Sequence, residues 1–253
     1  MPNVDILSPM TRKLARRSPL GERERAALQA LPHRIADLDR SRFIAREGEP
    51  NRHCCLLLSG FAYCHRLTGD GARQILSVHL TGDLLDLQNG AAEIATSNVQ
   101  PLSPVRVAFI PRAALLALAD AHPSIAAALW ADTGANASIL AEWLLNVGRR
   151  NARARIAHLM CELAVRQQTA GLCNGPHYPW WITQEQLGDA TGLTSVHVNR
   201  TLQGLRQEGL LQTVQRQVSL LDWPGLCAAG DFSAGYLQFS DVEEAALADC
   251  ACA

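Results

Sequence analysis

The sequence predicts an α+β protein with three parts: an N-terminal β-roll, a long helix and a C-terminal winged helix-turn-helix. Three observations predict it: short glycine-punctuated apolar runs between Ser41 and Pro111, a long helical pattern after Ser124, and two short helical segments joined at Gly192. The β-roll with its N-terminal helices is predicted to span residues 1–123, and the long helix 124–148. The winged helix-turn-helix is predicted to span 149–226, and an acidic tail follows at 227–253.

The composition is that of a globular chain. It has 253 residues, of which 48% are hydrophobic and 19% charged, enough for one large domain or two ordinary ones. The first thirty residues contain no apolar run of signal-peptide length, and Asp120, His122 and Pro123 interrupt the most apolar stretch. We therefore expect a cytoplasmic protein with no membrane partner, whose 8 cysteines are reduced thiols.

The net charge of −1 conceals an uneven distribution along the chain. Counting Lys and Arg against Asp and Glu gives +1 for residues 1–148, +4 for 149–220 and −6 for 221–253. A basic block favours a polyanionic partner, although a solvated arginine-rich face would have the same composition.

The β-roll is predicted from five short runs that each resemble a strand ending in a turn. They cover residues 41–50, 53–60, 61–71, 73–83 and 103–111. Glycines supply the turns at fairly regular spacing, which favours a compact roll or barrel. Residues 1–40 are expected to be helical or irregular, because Pro32 interrupts the helical spacing of ERERAALQAL.

Two helices are predicted after the β-roll. Pro111 is suited to the first turn of a short helix, and Ser124 is a good N-cap for a longer helix that runs to about Gly148. Along the longer helix, residues recur at alternating steps of four and three, as in a coiled-coil seam: Leu129, Thr133, Asn136, Leu140, Trp143 and Val147. The seam predicts a homodimer whose register Asn136 fixes, and an ordinary core helix is the alternative.

Residues 182–211 carry the pattern of a helix-turn-helix. Thr183 can cap a first helix, with Gln186 three residues later as in a capping box. Gly192 can take the left-handed conformation that a sharp turn needs. Thr194 then caps a second helix, which Val198 holds against the first.

The segments on either side complete a winged domain. A helical pattern at 154–168 comes first, and a Gly/Pro-rich loop at 170–179 separates it from the helix-turn-helix. After the second helix, the runs at 210–215 and 216–223 predict a hairpin that closes at Pro224 and forms a wing.

The exposed face of the second helix carries hydrogen-bond donors and no carboxylate before Glu208. A helix in the major groove must present donors to base edges and phosphates, where carboxylates are costly unless they read cytosine. Double-stranded DNA is therefore the predicted partner, and a two-helix hairpin that only packs a core is the alternative. The face consists of Ser195, Val196, Asn199 and Arg200, with His197 on its flank.

These features together resemble the Crp–Fnr family, the regulators related to the cyclic-AMP receptor and the fumarate–nitrate-reductase regulator. The resemblance covers about residues 30–226 and is most specific in ITQEQLGDATGLTSVHVNRTLQGLRQEGLL. It implies a sensor like the cyclic-nucleotide-binding jelly roll, a homodimer formed by the long helix, and a winged helix-turn-helix that regulates transcription. The expected partners are a palindromic operator and RNA polymerase.

The resemblance also assigns roles to single residues. Arg200 falls where the family places its guanine-reading arginine, and Thr183 and Glu185 fall where groups at a helix start hold phosphate, although the charge of Glu185 opposes that role. Ser195, Val196 and Asn199 fall where the family varies its base readers. The predicted DNA-binding set is Thr183, Thr194, Ser195, Val196, His197, Asn199 and Arg200.

The sensor half departs from the family pattern. Cyclic-nucleotide binders carry a Gly-Glu pair for the ribose and an Arg-Ser pair for the phosphate, whereas this chain has GDLLDLQNG and Ala95-Thr96 there. A cyclic phosphate buried without a guanidinium would leave its charge unpaired, so cyclic AMP is not expected as the effector. Residues 1–53 lack the cysteines of the iron–sulfur variant. No cofactor and no metal site are predicted, and the small-molecule effector is unassigned.

A group of cysteines and a histidine flanks the turn at Ser59 and Gly60. In a tight hairpin, Cys55 would lie opposite Cys64, and Cys54 opposite His65. Ordinary packing is the favoured interpretation of this group. A redox- or metal-responsive regulator that uses Cys54, Cys55, Cys64 and His65 is the alternative, followed by a β-barrel metalloenzyme. The chain is not expected to be an enzyme, since it has no nucleophile–base pattern or metal triad of recognised spacing.

Overall fold

The computed structural model describes residues 5–85, 93–173 and 177–238. The chain divides into two compact units. One consists of the residues up to Gly71 together with Leu76–Ala137, and the other of Ala72–Ile75 together with the residues from Ser138 onwards. Antiparallel sheets and helices in one unit and a helix-turn-helix in the other confirm the predicted α+β class.

The strands of the N-terminal half form two sheets. They are β1 (Arg34–Leu38), β2 (His53–Ser59), β3 (Ala62–Leu67), β4 (Arg73–His79), β5 (Leu84–Leu85), β6 (Asn98–Pro101) and β7 (Val105–Pro111). One sheet has the order β1-β7-β2-β5 and the other the order β4-β3-β6. Buried residues from both sheets, such as Leu57, Val99 and Val107, share one apolar cluster, so the sheets enclose a common core.

The strand predictions are partly wrong. Residues 41–50 form no strand and contribute only two isolated bridges, from Ala45 to Val99 and from Pro50 to Ile94. The reason is local, because Gly48 has a φ of 85° and Pro50 has no N–H to donate to a ladder. The pattern also misses β1, β5 and β6, which are short or, like β1, lie at a sheet edge where apolar alternation is weak.

The predicted hairpin between β2 and β3 is also wrong. The two strands belong to different sheets. In the ladder of β2 with β7, Cys54 lies opposite Ile110 and Cys55 opposite Phe109. In the ladder of β3 with β6, Cys64 lies opposite Val99. Each strand pairs with a distant segment because this lets both bury their apolar faces, which a simple two-stranded hairpin could not do.

Helices cover one side of the first sheet. Their buried residues pack in one core with Leu56 of β2 and Ile110 of β7. The helices are α1 (Ser8–Arg17), α2 (Glu22–Gln29), α3 (Arg112–Ala121) and the first half of α4 (Pro123–Arg149). The short predicted helix after Pro111 is therefore confirmed as α3, with Pro111 at its N-cap. None of the described helices is both long enough and apolar enough to span a membrane.

A buried carboxylate ties α1 to α4. Asp132 of α4 lies 2.9 Å from the ammonium of Lys13 and 3.4 Å from the guanidinium of Arg17. Asp83 lies 3.0 Å from the same ammonium. Burial by itself would lower the pKa of Lys13, but Asp83 and Asp132 raise it above its ordinary value. The N-terminal helix is therefore held to α4 by paired charges as well as by apolar packing.

α4 begins one residue earlier than predicted, at Pro123. The carbonyl oxygen of His122 accepts hydrogen bonds from the amides of Ile125 and Ala126, at 2.9 and 3.1 Å. Ser124 lies inside the first turn, so its prediction as the N-cap is wrong.

The predicted seam of α4 is only partly available to a partner. Trp143 is 7% exposed, and its Nε1 donates a hydrogen bond of 2.9 Å to Glu162, so its assignment to the seam is wrong. The other seam residues are at least partly exposed. The helix also exposes large apolar side chains, with relative exposures of 80% for Trp130, 39% for Leu140, 76% for Leu144 and 46% for Leu145.

The second unit contains a helix-turn-helix between α5 and a small sheet. Its elements are α5 (Ala152–Thr169), β8 (His177–Pro179), α6 (Gln184–Thr191), α7 (Ser195–Gln207), β9 (Leu211–Val214), β10 (Gln217–Leu220), α8 (Trp223–Gly230) and a 3₁₀ turn (Ala234–Leu237). The predicted wing hairpin is present as β9 and β10, and the sheet order is β8-β10-β9.

Three elements of this unit were not predicted: β8, α8 and the 3₁₀ turn. β8 lies in the Gly/Pro-rich loop, where its three residues are too few for a periodic signal. α8 follows the wing: Asp222 accepts a hydrogen bond from the amide of Gly225, and Pro224 occupies the first turn, where its missing N–H does no harm. α8 crosses the predicted boundary between residues 226 and 227, and the acidic tail beyond Gln238 lies outside the described residues.

Candidate nucleic-acid interface

The turn between α6 and α7 follows from local hydrogen bonds that the sequence predicts. The side chain of Thr183 accepts a hydrogen bond from the amide of Gln186, and the Gln186 side chain accepts one from the amide of Thr183, which confirms the capping box. Gly192 ends α6 with φ 66° and ψ 36°, in the left-handed region. Thr194 then accepts a hydrogen bond from the amide of His197 and begins α7.

The two helices meet closely because the residues between them are small or apolar. Leu187 of α6 and Val198 of α7 are both buried. A β-carbon on Gly188 would overlap the carbonyl oxygen of Leu193, so only glycine fits there without movement. Val198, Leu202 and Leu205 form the inward face of α7, which fixes the direction of its outer face.

The outer face of α7 exposes most of the residues that the sequence predicts there. Ser195, His197 and Arg200 are exposed, and the Val196 side chain is 71% exposed. Within the described residues, no hydrogen bond or ion pair engages the guanidinium of Arg200. In the described part of the chain, Arg200 therefore pairs with no carboxylate of α6.

Two of the predicted residues also have structural roles. The Nδ2 of Asn199 donates a hydrogen bond of 3.1 Å to the side-chain oxygen of Gln184, which joins α7 to the first turn of α6. Thr183 uses its oxygen as a helix cap, but its hydroxyl proton can still be donated to a phosphate. Gln184 is a neighbour of the predicted set that the sequence pattern did not single out.

Two arginines of α5 form hydrogen bonds with residues at the ends of α6 and α7. Arg155 donates from Nη1 to the carbonyl oxygen of Thr191 at 3.0 Å and from Nε to that of Arg150 at 2.8 Å, which holds the end of α6 on α5. Arg153, which lies in the basic block of residues 149–220, pairs with Glu208 at the end of α7. This pairing raises the pKa of Arg153 and lowers that of Glu208, and the pair is too exposed to contribute much stability.

The wing adds a cation that is not in the predicted DNA-binding set. Arg216 lies in the turn between β9 and β10, next to Gln215, whose φ is 54°. Its guanidinium carbon lies 4.3 Å from the ring centre of Trp181, and its carbonyl oxygen accepts a hydrogen bond of 2.8 Å from the amide of Trp180. The sequence signal that could have identified Arg216 is a basic residue in the polar two-residue turn of the predicted wing hairpin.

A buried polar cluster fastens the C-terminal segment to α5. Tyr236 donates a hydrogen bond of 2.9 Å to Glu162, and its oxygen lies 3.1 Å from Nε2 of His158. Burial lowers the pKa of His158, with a smaller contribution in the same direction from Arg150. Burial and the neighbouring carboxylate of Glu162 raise the pKa of Tyr236. The segment after the wing is therefore an integral part of this unit.

A cleft of about 90 Å³ lies in the first unit. It is smaller than the roughly 300–1,000 Å³ of usual ligand pockets. Ala95 lines it and is 4% exposed, whereas Thr96 is exposed. The cleft is also lined by Arg46, Glu49, Arg52 and His53. The stretch 86–92, which holds most of GDLLDLQNG, lies outside the described residues.

The predicted cysteine group is divided between separate surroundings. Cys54 packs in the core under the helices, whereas Cys55 and Cys64 pack between the sheets. The thiol of Cys64 donates to the Ser97 hydroxyl at 3.1 Å, and His65 Nε2 lies 2.9 Å from the side-chain oxygen of Gln100. The part of the chain that the structure describes contains no group of three His, Cys, Asp or Glu side chains placed to hold a metal ion.

Comparisons with known proteins agree with both halves. Residues 37–122 match the family model of the cyclic nucleotide-binding domain, and residues 154–229 match that of the Crp-like helix-turn-helix domain. The nitrogen fixation regulation protein FixK of Azorhizobium caulinodans is 31% identical over 168 residues, which cover 66% of this chain and 67% of that protein. The transcriptional activator protein anr of Pseudomonas aeruginosa is 24% identical over 202 residues, or 80% and 82% of the two chains.

Solved structures show the same fold. The structure of FixK2 from Bradyrhizobium japonicum has a TM-score of 0.74 at 25% identity and covers 81% of this chain and 100% of that one. The chain belongs to the Crp–Fnr family of transcription regulators and carries its helix-turn-helix DNA-binding domain. The relatives are regulators of transcription and not enzymes, which confirms the prediction that this chain is not an enzyme.

Proposed function

We propose that this protein is a cytoplasmic, dimeric transcription regulator that binds a palindromic operator by inserting α7 into the major groove. The proposed parts are those predicted from the sequence, with a sensor in 1–123, a dimerisation helix in 124–148 and a DNA-binding domain in 149–226. RNA polymerase is a further proposed partner. The proposed DNA-binding residues are Thr183, Thr194, Ser195, Val196, His197, Asn199 and Arg200.

The single observation that carries the proposal is the outer face of α7. It combines an exposed guanidinium at Arg200 with exposed Ser195 and Val196, while Val198 and Leu202 hold the opposite face in the core. A guanidinium can donate two parallel hydrogen bonds to O6 and N7 of guanine, and a valine can touch a thymine methyl group. Sequence selection by this face needs no rearrangement of the helix.

The proposed dimer rests on the exposed apolar side chains of α4. Trp130 and Leu144 are 80% and 76% exposed, which is a large apolar area for a helix facing water. A second α4 laid against the first would cover these side chains, as in a coiled coil. Two copies of α7 would then meet half-sites about one helical turn apart, roughly 34 Å.

The proposal is tested by selecting bound sequences from a random pool with the wild type and with Arg200→Ala. We expect the variant to lose guanine preference at one base pair per half-site, by roughly 1–3 kcal/mol. Arg206→Ala is the matched control, because Arg206 is also exposed on α7 but lies on a different side of the helix. Unchanged base preference in Arg200→Ala, with a lowered melting temperature, would contradict the assignment.

The effector is proposed to be a molecule other than cyclic AMP. Ala95 and Thr96 stand where cyclic-nucleotide binders carry the Arg-Ser pair that holds the phosphate. The small side chain of Ala95 is buried and uncharged, and Thr96 is exposed. A cyclic phosphate needs a buried cation for its negative charge, which neither residue provides.

A further inference from the structure

Two cysteines of the second unit, Cys161 of α5 and Cys227 of α8, lie next to each other. Their sulfur atoms are 4.0 Å apart, although the two cysteines are 66 positions apart in the chain. The residues between them include α6, α7 and the wing. A disulfide has about 2.05 Å between its sulfurs, so the two atoms must approach by about 2 Å to bond.

The packing of the two helices keeps this pair together. A β-carbon on Gly230 of α8 would lie 2.6 Å from the amide nitrogen of His158, so the helix backbones are in direct contact. Cys227 precedes Gly230 by three residues, and Cys161 follows His158 by three, which places the four positions on facing sides of antiparallel helices. Beyond α8, Tyr236 of the 3₁₀ turn donates a hydrogen bond to Glu162, which holds the segment after α8 on α5 as well.

The two thiols differ in a way that suits a two-step reaction. Cys161 is completely buried, whereas Cys227 is only partly buried. Burial raises the pKa of Cys161 well above its ordinary value, and the hydrogen bond with Cys161 lowers the pKa of Cys227. The thiol that a solute can reach is therefore the one that ionises more readily, and the buried thiol is held beside it.

We propose that Cys161 and Cys227 form a reversible disulfide on reaction with a hydroperoxide, which makes the DNA-binding unit a site of redox modification. This goes beyond the proposed operator binding and does not depend on it. The thiolate of Cys227 attacks the terminal oxygen of the hydroperoxide, forming an S–O bond and breaking the O–O bond, and an alkoxide leaves, or hydroxide in the case of hydrogen peroxide. The sulfur of Cys161 then attacks the sulfur of the sulfenic acid, forming the S–S bond and breaking the S–O bond, and the departing oxygen takes up the thiol proton and leaves as water.

The electrons balance, because the two thiols lose two electrons and the peroxide is reduced by two. A low-molecular-weight thiol reverses the reaction by exchange. The disulfide closes a covalent loop of chain that contains α6, α7 and the wing. Because this loop lowers the conformational entropy of the unfolded chain, it stabilises the folded unit. Intracellular disulfides of this kind are transient and responsive to oxidant, unlike those of secreted proteins.

The cross-link is tested by peptide mapping of the full-length protein after treatment with hydrogen peroxide. Cleavage with trypsin and an Asp-specific protease releases residues 156–166 and 222–230, each of which contains one cysteine. We expect these two peptides to be joined and to separate again after dithiothreitol. Cys173→Ala is the matched control and should give the same joined pair. Cys161 joined to a cysteine of the tail, or no joined pair while Cys227 oxidises, would overturn the proposal.

Single substitutions test the order of the steps. In Cys161→Ala, Cys227 should stop at the sulfenic acid and be trapped by dimedone. In Cys227→Ala, Cys161 should stay reduced, and its alkylation in the wild type should be at least about tenfold slower than that of Cys227. Oxidation should raise the melting temperature of the wild type by about 5 °C or more and leave both variants unchanged. An equal rise in Cys161→Ala would also overturn the proposal.

Discussion

The amide of Leu193 donates a hydrogen bond of 3.0 Å to the carbonyl oxygen of Gly188, and the Leu193 carbonyl occupies the space that a β-carbon on Gly188 would need. The turn of the helix-turn-helix therefore folds back directly onto the backbone of α6. No side chain separates the two segments at this point, so the angle between α6 and α7 depends on a glycine.

Gly188→Ala should destabilise the protein by about 1–3 kcal/mol, because the turn must shift to admit the methyl group. Urea unfolding followed by circular dichroism measures the effect. Gly204→Ala in α7 is the matched control, since a β-carbon there meets nothing within 4 Å. That control should be neutral or stabilising by up to about 1 kcal/mol. Equal effects in the two variants would contradict the close approach.

Leu144→Asp should convert the proposed dimer to a monomer at micromolar concentration. The side chain is 76% exposed in the single chain, and a carboxylate there would be desolvated against the partner helix. Sedimentation velocity measures the change. Leu116→Asp in α3 is the matched control, because Leu116 is 49% exposed outside the proposed interface. A monomeric wild type that binds a palindrome tightly would contradict the proposed dimer.

Arg216→Ala should weaken binding to all DNA sequences alike. The guanidinium on the wing is exposed, and we expect it to meet a phosphate, which carries no base information. The slope of log K against log salt concentration should become shallower by about 1 for each phosphate that the variant no longer neutralises. Arg12→Ala in α1 removes an exposed charge far along the chain from the wing, and it should leave the slope unchanged. A change in base preference would argue for a hydrogen bond to a base edge.

Millimolar cyclic AMP should neither raise the melting temperature nor tighten operator binding. The reason is the missing guanidinium at the phosphate position, where Ala95 and Thr96 stand. Titration calorimetry with the purified protein measures it directly. A clear saturable isotherm would show that another cation of the first unit, such as Arg46 or Arg52 in the cleft, takes the phosphate.

His158 should make the second unit less stable in mild acid. Its pKa is lowered in the folded state by burial and by Arg150, against the opposing effect of Glu162 and Glu142. Below about pH 6.5, the ordinary pKa of histidine, the unfolded chain therefore binds a proton at His158 more readily than the folded chain does. The contribution of neutral His158 to the free energy of unfolding is present above that pH and is lost as the pH falls through the pKa of the folded state. Unfolding measured at pH 7.5 and 5.5 should show a smaller pH dependence in His158→Gln. An unchanged dependence would place the titration elsewhere.

Local signals were sufficient for the helix-turn-helix. Thr183, Gln186, Gly192 and Thr194 lie within twelve residues, and their hydrogen bonds and φ angles depend on near neighbours. The same holds for the wing hairpin. Local signals failed where more than one group could accept the hydrogen bonds of the first amides in a helix. Ser124 looks like a cap, but the carbonyl of His122 accepts the first hydrogen bonds of α4.

Long-range pairing explains the larger errors. Cys55 and Cys64 flank a turn, yet each strand finds its partner elsewhere, because the buried area gained between two sheets exceeds that of one hairpin. Trp143 fits a coiled-coil spacing equally well, but the buried Glu162 accepts the hydrogen bond of its indole, which fixes it inside the chain's own core. Neither partner is visible in the spacing of the sequence.

The sequence by itself determined the order of the parts, the capped helices of the DNA-binding motif and the chemistry of its exposed face, since these depend on residue type and periodicity. Only the tertiary structure decided that Asn199 is joined to Gln184, that Arg153 is paired with Glu208 and that Arg216 lies over the ring of Trp181. It also decided that Cys161 and Cys227 are neighbours. These contacts join residues that are far apart in the chain, so they form only when packing has brought their elements together.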